Sequence, residues 1–171
     1  MPKEYEYAFK KFNRAKILSK LVELGAIYGG TFLFKVQQFN PPLHSLHKKM
    51  NIRVRDEEYR ITMTIKTPTE DFDNEEEIII DNFDSGVNYL LSIGCTKDVY
   101  YEKVREIWIL PNIPNIPNIP NNTFAKKYTE IVFDTEAGLP DIMEIESSTF
   151  EELERVVYLF GLNKQNYYQY I

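Results

Sequence analysis

Residues 4–10 alternate, with Tyr5, Tyr7 and Phe9 on one side and Glu4, Glu6, Ala8 and Lys10 on the other. That is the two-residue period of a strand with a charged face. After Phe12 the period changes. Ile17, Leu18, Leu21, Val22 and Leu24 recur at helical spacing, Asn13 suits an N-cap and Gly25 a stop. Gly29-Gly30 predicts a break, residues 31–38 predict a strand rich in aromatic and branched side chains, and Pro41-Pro42 opens a loop. Residues 50–55 and 59–66 predict a hairpin whose second arm sets Arg60, Thr62, Thr64 and Lys66 against Tyr59, Ile61, Met63 and Ile65. The acidic run 70–77 passes into Ile78-Ile79-Ile80, so its end predicts a strand.

A second helix is predicted around Val87, Leu90 and Leu91, starting at Asp84 or Ser85 and ending at Gly94, followed by a strand over 99–110. Three tandem Pro-Asn-Ile units at 111–119, closed by Pro120-Asn121-Asn122, exclude a helix or a central strand, so 111–122 is expected to be an exposed, extended insertion. Strands over 128–134 and 141–146 flank a turn containing Gly138 and Pro140. The last helix opens on the capping-box pattern Ser148, Glu151, packs Leu153, Val156, Val157 and Phe160, and stops near Gly161. About eight strands and three helices in mixed order make an α+β class. Each helical stripe needs the apolar face of the strands, so the charged strand face points the other way. It meets solvent if the sheet is open and becomes a polar interior if the sheet closes, since an eight-stranded barrel has room for side chains or a small ligand.

At 171 residues and 43% apolar content the chain is expected to form a single domain, 1–171. The lone Cys95 has no intramolecular disulfide partner, and neither a signal-like start nor a membrane-length apolar run is present. A soluble, reducing, cytoplasmic setting is the expectation. With 20 basic and 26 acidic side chains, the net charge of −6 argues against nucleic-acid binding driven by overall charge.

The charged positions carry the chemistry. Glu4-x-Glu6 and Glu144-x-Glu146 place acids two residues apart on strands, and Arg53-Val54-Arg55, Thr64-Ile65-Lys66 and Lys103-Val104-Arg105 do the same with bases. Carboxylates suit a hard divalent cation, and arginine pairs bidentately with phosphate oxygens. Together they suggest a phosphate-processing site. Other motifs read as structure. Asp71, Asp73 and Glu75 resemble the start of a calcium loop, but its sixth position holds Glu76 and its twelfth Asn82. His44 and His47 sit in a Pro-rich stretch without cysteine, and Cys95 has no histidine nearby in sequence.

In order along the chain, Glu4-x-Glu6, Arg53-x-Arg55, Thr64-x-Lys66, Lys103-x-Arg105 and Asp134…Gly138…Glu144-x-Glu146 resemble the CYTH family of triphosphate tunnel metalloenzymes. The resemblance implies a closed eight-stranded antiparallel barrel with helices outside, binding a triphosphate and Mg2+ or Mn2+. It would make Glu4, Glu6, Asp134, Glu144 and Glu146 metal ligands, Lys10, Arg53, Arg55, Lys66, Lys103 and Arg105 substrate-binding residues, and Glu4, Glu6 and Lys66 catalytic. Glu75 and Glu77 fall where further strand acids are usual. The implied function is hydrolysis of triphosphates such as tripolyphosphate, ATP or thiamine triphosphate, with RNA 5′-triphosphate as a further substrate class. The alternatives are an adenylyl cyclase releasing cyclic AMP and pyrophosphate, or a binder of polyphosphate or nucleotide without turnover. Two departures stand out: Ala8 occupies the position of the signature lysine, with Lys10 one pleat further, and residues 36–40 lack the usual aspartate and tyrosine.

Overall fold

Among the described residues, nine strands and three helices follow one another as β1 (Tyr5–Phe9), α1 (Arg14–Glu23), β2 (Ile27–Asn40), β3 (Asn51–Asp56), β4 (Ile61–Pro68), β5 (Asp73–Ile80), α2 (Phe83–Ser92), β6 (Thr96–Pro111), β7 (Tyr128–Glu136), β8 (Ile142–Ser147), α3 (Phe150–Leu159) and β9 (Tyr167–Tyr168) in a computed structural model. It describes residues 5–45, 50–68, 73–111, 128–163 and 167–168. Glu4, His47, Asp71 and, beyond Pro111, the Pro-Asn-Ile insertion lie outside them. The strand order is β5-β4-β3-β2-β6-β7-β8-β1-β9. This is the expected α+β class, with antiparallel pairing at β1/β8, β2/β3, β3/β4, β4/β5 and β7/β8. The closed barrel is approximated: among the described residues the hydrogen-bonded order has two ends, β5 and β9. None of the described helices is long and apolar enough to cross a membrane.

The chain divides into two compact units. The first joins residues 1–31 to 105–171. Its core places Ile17 and Leu21 of α1 and Leu153, Val156 and Val157 of α3 against Phe9, Phe133, Met143 and Ile145 of the strands. Asn13 caps α1 as expected, its side chain accepting from Lys16 N at 3.0 Å. The cap of α3 is Thr149, one residue after the expected Ser148, and it accepts from Glu152 N. The reciprocal partner is lost with the shift, because Glu152 is buried and receives the Arg155 guanidinium instead.

The second unit covers residues 32–104. Its core gathers Phe39, Ile52, Val54, Val87, Leu90 and Cys95, with Ile61, Met63 and Ile65 packed against it. Helix α2 begins at Phe83, one residue before the expected Asp84 and two before Ser85, because Asn82 supplies the cap by accepting from Ser85 N at 2.8 Å. A Cβ at Gly86 would lie 2.4 Å from Ile80 Cδ1, a chain end that can turn aside, and 3.3 Å from both Val54 methyls on the buried face of β3, which have less room to give. Gly86→Ala should therefore lower stability. Overpacking costs about 1–3 kcal/mol, of which better helix propensity returns about 1 kcal/mol; a raised urea midpoint would contradict the packing.

The break expected at Gly29-Gly30 does not occur. β2 runs through both residues for 14 positions. A Cβ at Gly29 would meet Ile107 Cγ2 at 3.2 Å and Ile107 O at 3.3 Å, so the glycine serves close backbone approach and not a turn.

Candidate functional site

In each unit the alternation that sends apolar side chains into the core sends charge to the opposite strand face. In the second unit, Ile52 and Val54 of β3 and Ile61, Met63 and Ile65 of β4 belong to the core, which leaves Arg53, Arg55, Thr62, Thr64 and Lys66 on the other side. Register places Thr64 beside Arg53, and Lys66 and Thr64 beside Glu75 and Glu77 of β5. The side chains engage accordingly. Lys66 Nζ lies 2.8 Å from Glu75, Arg53 Nη2 3.4 Å from Glu75, and Arg55 Nη2 3.2 Å from Glu77, which also accepts from the Thr64 hydroxyl at 3.1 Å. The structure thus brings three of the expected phosphate-binding residues into one band and threads it with the strand acids. Arg53 Nε and the Thr62 hydroxyl are buried donors with no acceptor among the described residues.

Glu57 closes this band at the β3–β4 turn. It is 1% exposed, accepts from Arg60 Nε at 2.7 Å and pairs with Arg55 Nη2 at 2.6 Å. Burial alone would raise its carboxyl, but the Arg60 hydrogen bond and the Arg55 charge outweigh burial and hold it below its ordinary 4.5. Burial and the hydrogen bond to Glu57 in turn push the Tyr59 phenol up to about 12. A carboxyl lowered on folding contributes stability that is present above its unfolded value and lost as pH falls through the lower folded one. The stability gap between wild type and Glu57→Gln should therefore shrink between pH 7 and pH 3, as read from urea midpoints; a constant gap would contradict the ion pairs.

In the first unit, Met143 and Ile145 of β8 face the core, and Glu144 and Glu146 face away. Glu6 of β1 lies opposite Glu146, and Glu130 of β7 lies opposite Glu146 from the other side, so three carboxylates stand in one line across adjacent strands. One step along, Ala8 and Val132 flank Glu144. Arg105 of β6 is held by Asp134 through Nε at 2.7 Å and Nη2 at 2.5 Å, and by Glu144 through Nη2 at 2.5 Å. Burial would lower its guanidinium pKa, yet the Glu144 charge, the Asp134 hydrogen bonds and the charges of Asp134 and Glu130 drive it well above the ordinary value. Two of the acids expected to bind metal are therefore hydrogen-bonded to a residue expected to bind phosphate.

Lys103 is half-buried on β6, within the second unit. Lys10 is exposed, one residue past the end of β1, so the pleat expected to carry it beside Ala8 ends at Phe9. Cys95 is buried, and burial pushes its thiol up, as a packing residue requires. Two residues that matter were not singled out from sequence. Glu130 was legible, because Glu130-x-Val132-x-Asp134 continues the alternation of its strand. Glu57 was not, because it stands in an Asp56-Glu57-Glu58 run that reads as a solvated turn.

Among the described residues no three acidic, histidine or cysteine side chains form a ready-made cage. The line Glu6, Glu146, Glu130 nevertheless supplies carboxylate oxygens on three adjacent strands, the donor type a hard divalent cation takes. Mg2+ takes one or two carboxylates with water and phosphate oxygens in its other positions, so the row fits without a full protein cage.

No sequence-family profile matches the chain, and no curated protein matches it. Solved structures do. The PH1012 protein of Pyrococcus horikoshii OT3 superposes with a TM-score of 0.74 at 18% identity, covering 99% of this chain and 96% of that one. A candidate adenylate cyclase of Vibrio parahaemolyticus gives 0.75 at 15% identity, covering 98% and 94%. An adenylyl cyclase candidate of Hippeastrum, described as having a dominant triphosphatase activity, gives 0.53 at 13% identity over 93% and 87%. At these identities the likeness is one of fold, and it agrees with the CYTH resemblance of the sequence.

Proposed function

We propose that this chain is a metal-dependent enzyme that binds and hydrolyses triphosphates. The observation that carries the reading is that its strand charges are not a solvated face: Arg53, Arg55, Lys66, Arg105 and Glu144 are only 12–27% exposed. Half-buried charge is costly to keep unless it has a use or a partner. The partners seen are charges of the strands and of the β3–β4 turn, and unmet donors such as Arg53 Nε and Thr62 Oγ1 suit an oxygen acceptor of the kind a phosphate supplies.

In this reading Arg53, Arg55 and Lys66 hold non-bridging phosphate oxygens, with Lys103, Arg105 and Lys10 adding positive charge. Glu6, Glu146 and Glu130, with Glu4 and the Arg105-bound acids Asp134 and Glu144, hold Mg2+ or Mn2+. The cation supplies Lewis acidity toward the phosphoryl group. Water oxygen would form a bond to the terminal phosphorus as the bridging P–O bond breaks; the diphosphate end of the substrate leaves with the electron pair, and the water proton passes to a phosphate oxygen or to solvent. The arginines orient the chain for in-line attack, so their contribution is position and charge.

Hydrolysis is placed first because the Hippeastrum neighbour is described by its dominant triphosphatase activity. Cyclisation of ATP is second, on the Vibrio neighbour of similar fold. Incubating the pure protein with tripolyphosphate, ATP, thiamine triphosphate and 5′-triphosphate RNA, with Mg2+ or Mn2+, separates the readings. Phosphate release supports hydrolysis, cyclic AMP with pyrophosphate supports the cyclase, and heat stabilisation without product supports a binder. Neither product nor stabilisation would overturn all three.

A further inference from the structure

We infer that Glu57 is a positioning residue for Arg55, a buried anionic post that fixes the guanidinium for a phosphate oxygen without cancelling its charge. The inference rests on the triphosphate reading above and deepens it.

Arg55 is held from three sides: by Glu57 at 2.6 Å, by Glu77 at 3.2 Å, and by the Phe34 ring, whose centroid lies 5.5 Å from its guanidinium carbon. The two carboxylates differ in kind. Glu77 is 24% exposed and its contact is the longer, so an incoming anion can exchange with it. Glu57 is 1% exposed, its contact is the shorter, and its other oxygen is already committed to Arg60 Nε at 2.7 Å. Glu77 also reaches Arg60 Nη2 at 3.6 Å, so two guanidiniums and two carboxylates balance while it is in place; once an anion displaces Glu77, the group of Arg55, Glu57 and Arg60 carries +1 and Arg55 stays fixed by Glu57.

The turn is built to hold that carboxylate. Glu57 N donates to Arg60 O at 2.9 Å, closing the hairpin. Glu58 takes a left-handed φ of 68°, a conformation that costs a non-glycine residue energy and persists where its surroundings impose it. Its amide donates to the Asp56 carboxylate at 3.0 Å, and its own carboxylate accepts from Leu33 N of β2 at 2.9 Å. Both strand neighbours of the turn are thereby tied to it, and Glu57 is aimed inward while Glu58 faces out.

The test is a double-mutant cycle read by the dissociation constant of inorganic tripolyphosphate with Mg2+, using the full chain. Glu57→Gln keeps size and one acceptor but removes the charge, and should weaken binding about tenfold, the scale of one charge-assisted hydrogen bond. Combined with Arg55→Ala, it should bind no more weakly than Arg55→Ala alone, because its effect passes through that arginine. Should Glu57→Gln fail to fold, Glu57→Asp carries the same cycle, since it keeps the buried charge and withdraws the carboxylate by one methylene. If wild type binds, Arg55→Ala weakens it, and the Glu57 variants bind like wild type or add their losses to that of Arg55→Ala, the inference falls and the triphosphate reading stands. If wild type does not bind tripolyphosphate, or Arg55→Ala binds as wild type does, both fall together.

Discussion

Replacing Arg105 by Met should destabilise the chain by about 3–5 kcal/mol, the cost of leaving buried charge without its partner. The guanidinium is 13% exposed and faces Asp134, 5% exposed, and Glu144, 12% exposed, so its loss strands two carboxylates that also repel each other. The sign of the pH response follows. Burial without a counter-charge raises a carboxyl above its unfolded value, and the penalty is then felt above the raised pKa and relieved as pH falls through it. The deficit of Arg105→Met, taken against wild type from urea midpoints, should narrow between pH 8 and pH 5. Adding Asp134→Asn should recover part of it at pH 8. A deficit below 1 kcal/mol, or one that does not change with pH, would mean the ion pairs are not holding the strands.

Glu146→Gln carries the second large effect, in activity. Glu146 is the middle member of its row, opposite Glu6 on one side and Glu130 on the other. Outer-shell partners of a metal already cost about 10–100-fold when removed, and a direct ligand should cost no less. The Mn2+ concentration for half-maximal tripolyphosphate hydrolysis should therefore rise by at least that factor, and more for Glu146→Gln than for Glu6→Gln. The urea midpoint, read alongside, separates a lost metal ligand from lost folding. Loss of activity together with loss of folding would mark Glu146 as a structural residue.

The sequence alone conveyed much of this because strand alternation is a local property. Glu6, Arg53, Arg55, Lys66, Glu144 and Glu146 all lie on the face that their apolar neighbours predicted, since Tyr7, Val54, Ile65 and Ile145 pack against the cores. What was not local was not legible. Gly29-Gly30 reads as a break until Ile107, 78 positions away in sequence (107 − 29), is seen against it. The pairing of Arg105 with Asp134 and Glu144 depends on which strands are neighbours, a fact of topology that periodicity does not carry. Helix starts were missed by one or two residues because Ser85 and Ser148 are themselves good caps, and only the backbone decides between them and the neighbouring Asn82 and Thr149.

The same distinction bears on function. A pair such as Arg53-x-Arg55 on an exposed strand would be a solvated face worth little energetically. It is the burial of these side chains that turns the pattern into a candidate anion site, with Glu75 and Glu77 as the counter-charges an anion would have to displace.

Calorimetric titration of the wild-type chain with inorganic tripolyphosphate in the presence of Mg2+, repeated at two salt concentrations and with Arg53→Ala/Arg55→Ala, is the most direct check. Saturable one-to-one binding that weakens with salt, and falls by about tenfold or more in the double variant, is the predicted result. Absence of binding, or equal affinity in the two proteins, would contradict it.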